Sequence, residues 1–136
     1  MAPDPLSVPI PTILVVDDEP AVRLFVERVL VDAGFRVVTA TGGTEALGLL
    51  ERGTTIDLLL VDLRMPAMSG TQLALKVSQL RPEVRVLIMA AYPSDDPLGW
   101  RVIVKPFPPD LLQAEIRRAL EGPSARAGSG EFPADP

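Results

Sequence analysis

Short, wholly apolar runs alternate along this chain with stretches whose apolar residues recur at helical spacing. Two runs stand out, Thr12-Ile13-Leu14-Val15-Val16 and Leu58-Leu59-Leu60-Val61. They are continuous rather than alternating, the pattern of strands buried on both faces of a parallel sheet. Arg36-Val37-Val38-Thr39, residues 84–90 and residues 101–105 read as three further strands. Between them, residues 20–33 place Val22, Phe25, Val26, Val29 and Leu30 on one helical face, with Pro20 suited to a first turn and Gly34 to a stop. Residues 44–50 predict a second helix with Ala46, Leu47 and Leu50 inward, and a third begins at Ser69 or Gly70 and runs to Leu80 with Leu73, Val77 and Leu80 inward. A last helix spans 109–120 and carries Leu112, Ile116, Ala119 and Leu120. Strands alternating with helices imply right-handed βαβ crossovers and a doubly wound α/β sheet covered on both faces.

The acidic residues fall where such a sheet binds ligands. Asp17 and Asp18 end the first run and Asp62 ends the other. In open α/β sheets the ligand crevice lies beyond the carboxyl ends of the strands. Three carboxylates converging there would raise one another's pKa values, and a hard divalent cation held through oxygen would compensate them.

Composition narrows the chemistry. The 136 residues suit one domain, and at 47% hydrophobic and 23% charged they support a core. A net charge of −5 argues against general nucleic-acid binding, which relies on Lys and Arg neutralising phosphates. The chain contains neither Cys nor His, which removes disulfides, thiolate nucleophiles, imidazole metal sites and any histidine phosphoacceptor of its own. No apolar run reaches the length of a membrane span, and the start lacks the pattern of a signal peptide, so a cytoplasmic location is expected. Prolines at 3, 5, 9 and 11 suggest a flexible arm over 1–10, and a Gly- and Pro-rich stretch suggests a flexible tail over 122–136, leaving 11–121 as the domain.

Three segments taken together resemble the receiver domain of two-component response regulators. They are Ile13-Leu14-Val15-Val16-Asp17-Asp18-Glu19, Leu60-Val61-Asp62-Leu63-Arg64-Met65-Pro66, and Val104-Lys105-Pro106-Phe107, with Gly70 also fitting. The resemblance implies a flavodoxin-like, five-stranded parallel sheet of order 2-1-3-4-5. It implies that Asp62 is a phosphoacceptor, attacking a phosphohistidine on a sensor histidine kinase or phosphotransfer protein. Asp17, Asp18, Asp62 and the backbone carbonyl of Arg64 would hold Mg²⁺. Lys105 would pair with Asp62 at rest and with a phosphoryl oxygen afterwards, and the Lys105–Pro106 bond would be cis. Such a protein is a phosphoacceptor rather than an enzyme, with at most slow autophosphatase activity. No output segment is evident after the last helix, which suggests a single-domain regulator acting by protein contact, without nucleic acid or membrane.

Three departures weaken the usual switch. The family places Ser or Thr at the end of the fourth strand, and this chain has Ala90. It places an aromatic in the fifth strand, and this chain has Val102. Residues 92–100 are nine residues and include Pro93, Pro97 and Gly99. A full crossover needs at least about 10–12, so the fourth helix is expected to be missing or shortened. An uncovered face there would suit either a homodimer or cover by the 122–136 tail. The alternative function is therefore a pseudo-receiver, a binding or dimerisation module without phospho-switching. An FMN-binding role is disfavoured, because no Ser-, Thr- and Gly-rich phosphate loop follows the first strand.

Blander readings stand beside these. Asp18 could serve only as a cap before Pro20, Lys105 could be a solvated lysine, and Asp95-Asp96 a solvated loop. Tyr92 and Trp100 are expected to pack over the face left by the short connection.

Overall fold

The computed structural model describes residues 9–93 and 99–122. The expected arm and tail lie almost wholly outside the described residues, and Asp95-Asp96 lies outside them too. The strands are β1 (Thr12–Val16), β2 (Arg36–Ala40), β3 (Leu58–Asp62), β4 (Arg85–Ala90) and β5 (Arg101–Val104). The helices are α1 (Pro20–Asp32), α2 (Gly43–Glu51), α3 (Gly70–Leu80) and α4 (Pro109–Glu121). All pairings are parallel, and the strand order is β2-β1-β3-β4-β5, as the resemblance implied.

The continuous apolar runs are explained by a core on each side of the sheet. Ile13, Val15, Leu58, Leu60, Leu87, Met89 and Ile103 point to one side, where Val26, Val29 and Leu30 of α1 and Leu112, Ile116 and Ala119 of α4 cover them. Leu14, Val16, Leu59, Val61, Val86 and Ile88 point to the other, beneath Ala46 and Leu50 of α2 and Leu73, Ala74 and Val77 of α3. Alternate residues thus serve opposite layers, so the runs show no polar alternation.

Local signals set the helix ends. Gly34, at φ +96°, takes the left-handed position after α1, and Phe35 N–H donates to the Leu30 carbonyl at 3.0 Å. At α3 the Ser69 hydroxyl accepts from Gln72 N–H at 3.2 Å while the Gln72 side chain accepts from Ser69 N–H at 2.9 Å. This reciprocal box fixes where the helix begins.

The connection from β4 to β5 bears out the shortening. The described flanks, residues 91–93 and 99–100, contain no helix, and Gly99 sits at φ +90°. Two helical turns need about seven residues, and the flanks leave five between them. Among the described residues, only α2 and α3 cover that side of the sheet. Trp100 is buried there in the same core cluster as Val77, Val84 and Val86. Its packing matches expectation, whereas Tyr92 is 62% exposed and does not pack into the core.

Two inward positions are corrected. Phe25 is 41% exposed, because Val26, Val29 and Leu30 already fill the inward arc of α1 and its ring leans toward Phe107, 6.3 Å away. Leu80 is also exposed, because Arg81 occupies the end of α3 against α2, donating to the carbonyls of Leu50 and Thr54 at 2.8 and 3.2 Å.

Candidate functional site

The carboxyl ends of β1, β3 and β5 bring Asp17, Asp62 and Lys105 together. Asp17 follows the last residue of β1 and is fully buried. Asp62 ends β3 and is nearly so, while Asp18 is exposed. One carboxylate oxygen from each of Asp17, Asp18 and Asp62 lies within 4.8 Å of the others. Lys105 Nζ lies 3.2 Å from Asp17 Oδ2 and 3.0 Å from Asp62 Oδ1. The lysine therefore bridges two acids, where the sequence had suggested a partner in Asp62 alone. A merely solvated lysine is excluded by this geometry.

Asp17 is held at every polar group. Its N–H donates to the Ala40 carbonyl at 3.3 Å, and its Oδ1 accepts from Glu19 N–H at 2.9 Å. Its carbonyl accepts from Arg23 Nη1 at 2.7 Å. Arg23 was not anticipated; its only sequence signal is a basic residue one turn into the helix that follows the acidic pair. Asp18 does not cap α1. The capping position belongs to Glu19, whose side chain makes no capping bond.

The chain beyond Asp62 is clamped by close backbone packing. Leu63 N–H donates to the Met89 carbonyl and Gly70 N–H to the Leu63 carbonyl, both at 2.8 Å. A Cβ on Gly70 would overlap the Asp62 carbonyl oxygen and lie 3.0 Å from Leu63 Cα. Glycine is required here by proximity, so the motif glycine is explained. Ala67 in the same loop adopts φ +69°. Arg64 lies between, with its side chain exposed.

The Lys105–Pro106 bond is cis, as expected. Lys105 N–H donates to the Ala90 carbonyl at 2.7 Å, so Ala90 sits beside the lysine and offers a methyl where a hydroxyl was expected. Val102 pairs with Ile88 and is 37% exposed.

Electrostatics follow from burial and crowding. Burial pushes the Asp62 carboxyl above its usual range, the Lys105 hydrogen bond and charge oppose this, and the Asp17 and Asp18 charges add to it. Burial alone would lower the Lys105 ammonium. The Asp62 hydrogen bond and the Asp17 and Asp62 charges outweigh it and hold its pKa above the usual lysine value. Three carboxylates less one ammonium leave two negative charges, matching a divalent cation, and the donors are all hard oxygens.

The family model for the response regulator receiver domain matches residues 13–117. The chain belongs to the response regulator receiver domain family. The receiver domain is 35% identical over 113 residues to the DNA-binding transcriptional regulator NtrC of Salmonella typhimurium, covering 78% of this chain and 24% of that protein. It is 31% identical over 120 residues to the sensor kinase CckA of Brucella abortus, covering 81% of this chain and 12% of the kinase. The chain thus spans about a quarter or less of the length of these relatives. Among solved structures, the chemotaxis protein CheY4 of Vibrio cholerae superposes with a TM-score of 0.76 at 28% identity, covering 82% of this chain and 99% of that one. The response regulator TrrA of Thermotoga maritima, solved in complex with Mg²⁺–BeF, does so with a TM-score of 0.72 at 31% identity, covering 81% and 99%. Among the described residues no helix is long and apolar enough to cross a membrane.

Proposed function

We propose that this receiver domain accepts a phosphoryl group on Asp62 from a phosphohistidine of a sensor histidine kinase or phosphotransfer protein, with Mg²⁺, and signals by protein–protein contact. The observation that carries the proposal is the bridge of Lys105 between Asp17 and Asp62 inside a three-carboxylate cluster. In the reaction, an Asp62 carboxylate oxygen forms a bond to phosphorus as the bond from phosphorus to the donor imidazole nitrogen breaks. These 136 residues contain no histidine, so the donor imidazole lies outside them. Carboxylates are competent nucleophiles in such transfers, and the protein contributes mainly alignment and charge neutralisation. Lys105 is already within 3.0 Å of the acceptor oxygen and supplies one positive charge to the phosphoryl group. Asp17, Asp18, Asp62 and the Arg64 carbonyl would hold the cation, which when bound supplies the remaining charge neutralisation.

The donor must cover the pocket to reach Asp62. Beside Lys105 lies an apolar groove of about 300 Å³ lined by Ala21, Val22, Phe25, Pro106 and Phe107 as well as the lysine. Phe25, left exposed at the edge of the core, fits an apolar donor face docked there.

Acetyl phosphate with Mg²⁺, read by intact-protein mass spectrometry, tests the proposal. One added phosphoryl group is expected, lost with chelator and lost in Asp62→Ala. If Asp62 takes phosphate neither from acetyl phosphate nor from the cognate kinase, the proposal fails. Ala90, Val102 and the short β4–β5 connection support a second reading, a binding module that keeps the fold without switching. Under that reading, beryllofluoride with Mg²⁺ leaves amide exchange beyond the acidic pocket unchanged.

A further inference from the structure

We infer that Arg23 is a positioning residue for the cation site, aiming Asp18 by locking the peptide that joins it to Asp17. The inference rests on the Mg²⁺ role proposed above. Its basis is an asymmetry between the two acids. Asp17 is fully buried and fixed by Ala40, Glu19 and Lys105, so it needs no further restraint to stay in place. Asp18 is exposed, and burial does nothing to direct its carboxylate. The plane of the peptide from Asp17 to Asp18 sets where the Asp18 side chain departs. The Asp17 carbonyl defines that plane, and it accepts the 2.7 Å bond from Arg23 Nη1.

Arg23 is well placed to impose the restraint. Its N–H donates to the Glu19 carbonyl at 3.0 Å, the first bond of α1, so the root of its side chain is fixed to the rigid start of the helix. Arg23 is half-buried and its guanidinium carries donors in a fixed plane, so the N–H that meets the Asp17 carbonyl at 2.7 Å does so with a defined direction. Residues 17–19 are thus tied at one end to the sheet, through Ala40, and at the other to the first turn of α1.

Charge and positioning make opposite forecasts, and this separates them. A cation near the pocket repels Mg²⁺, so if Arg23 acted by charge alone its removal would tighten divalent binding. If Arg23 positions Asp18, removal weakens binding despite the lost repulsion. Partners that orient metal ligands typically contribute 10–100-fold to affinity. Mg²⁺ demands near-ideal octahedral geometry, whereas Ca²⁺ tolerates irregular sites. The loss should therefore be larger for Mg²⁺ than for Ca²⁺.

Calorimetric titration of wild type, Arg23→Met and Arg23→Lys with Mg²⁺ and with Ca²⁺ tests this. About a tenfold weaker Mg²⁺ affinity is expected for Arg23→Met, with a smaller loss for Ca²⁺ and partial rescue in Arg23→Lys. Without metal, amide exchange at Glu19 should accelerate in Arg23→Met while Leu14 and Leu60 stay protected. Should Arg23→Met not fold, Arg23→Gln must weaken Mg²⁺ in the same sense. Folded variants that bind Mg²⁺ as tightly as wild type, or more tightly, overturn the inference while leaving the proposed function intact. A wild-type chain that binds no Mg²⁺ overturns both.

Discussion

Replacing Lys105 by Met removes the cation that bridges Asp17 and Asp62 and keeps a side chain of similar length. At 3.0 and 3.2 Å, and with an effective dielectric of about 20, each contact carries roughly 5 kcal/mol of gross attraction. Most of this is offset by the desolvation of Lys105, which is only 20% exposed. Removing one partner of a buried pair typically costs about 3–5 kcal/mol, and the partial exposure here places the loss nearer 2–3 kcal/mol. Lys105 has a raised pKa, so its contribution is fully present below the unfolded lysine value and disappears only as pH rises through the higher folded value. At neutral pH the loss should therefore be complete. Asp62 is shifted in the same direction, over a lower pH range. Its raised pKa makes the folded state relatively more stable in acid, so the deficit of Lys105→Met should shrink as pH falls and Asp62 takes a proton. Trp100 is the chain's single tryptophan and is buried, so its emission should follow urea unfolding. Mg²⁺ should stabilise the variant more than wild type, since it replaces the missing positive charge. A variant as stable as wild type in chelator, or one that gains no more from Mg²⁺ than wild type does, refutes the bridging role.

Other substitutions probe separate parts of the fold. In chelator at pH 7, Asp62→Asn should unfold at higher urea than wild type, because the raised pKa marks the ionised form as disfavoured in the folded state; the gain should vanish as pH falls through that pKa. Gly70→Ala should cost about 1–3 kcal/mol in urea unfolding, since the clash is with Asp62 and Leu63 backbone that cannot rotate away. Trp100→Ala should cost about 3–5 kcal/mol by circular dichroism, a value near zero meaning that the indole does not fill the core. Ala67→Gly should raise stability by up to about 1 kcal/mol, as glycine accepts φ +69° without strain.

Several elements were legible because their determinants are local. The runs at β1 and β3, the Pro20 start of α1 and its Gly34 stop are written in adjacent residues, and the structure differs from expectation by only a residue or two at their ends. The β4–β5 connection was legible by arithmetic, since nine residues cannot hold a full crossover. Phe25 and Leu80 misled because helical periodicity gives a face but not which members of it meet the sheet. The second partner of Lys105 was hidden for a related reason: Asp17 is 88 residues away, and nothing near either residue encodes their approach.

The sequence by itself determined a parallel α/β sheet with acids and a lysine at its carboxyl edge, because strand periodicity and strand-end position follow from neighbouring residues. Only tertiary structure decided which oxygens meet Lys105, that Arg23 grips the Asp17 carbonyl, that Gly70 abuts Asp62, and that Trp100 rather than Tyr92 closes the core. The Lys105 contact joins residues 88 apart, and even the nearer contacts at Arg23 and Gly70 depend on how loops and layers pack, which no local pattern records.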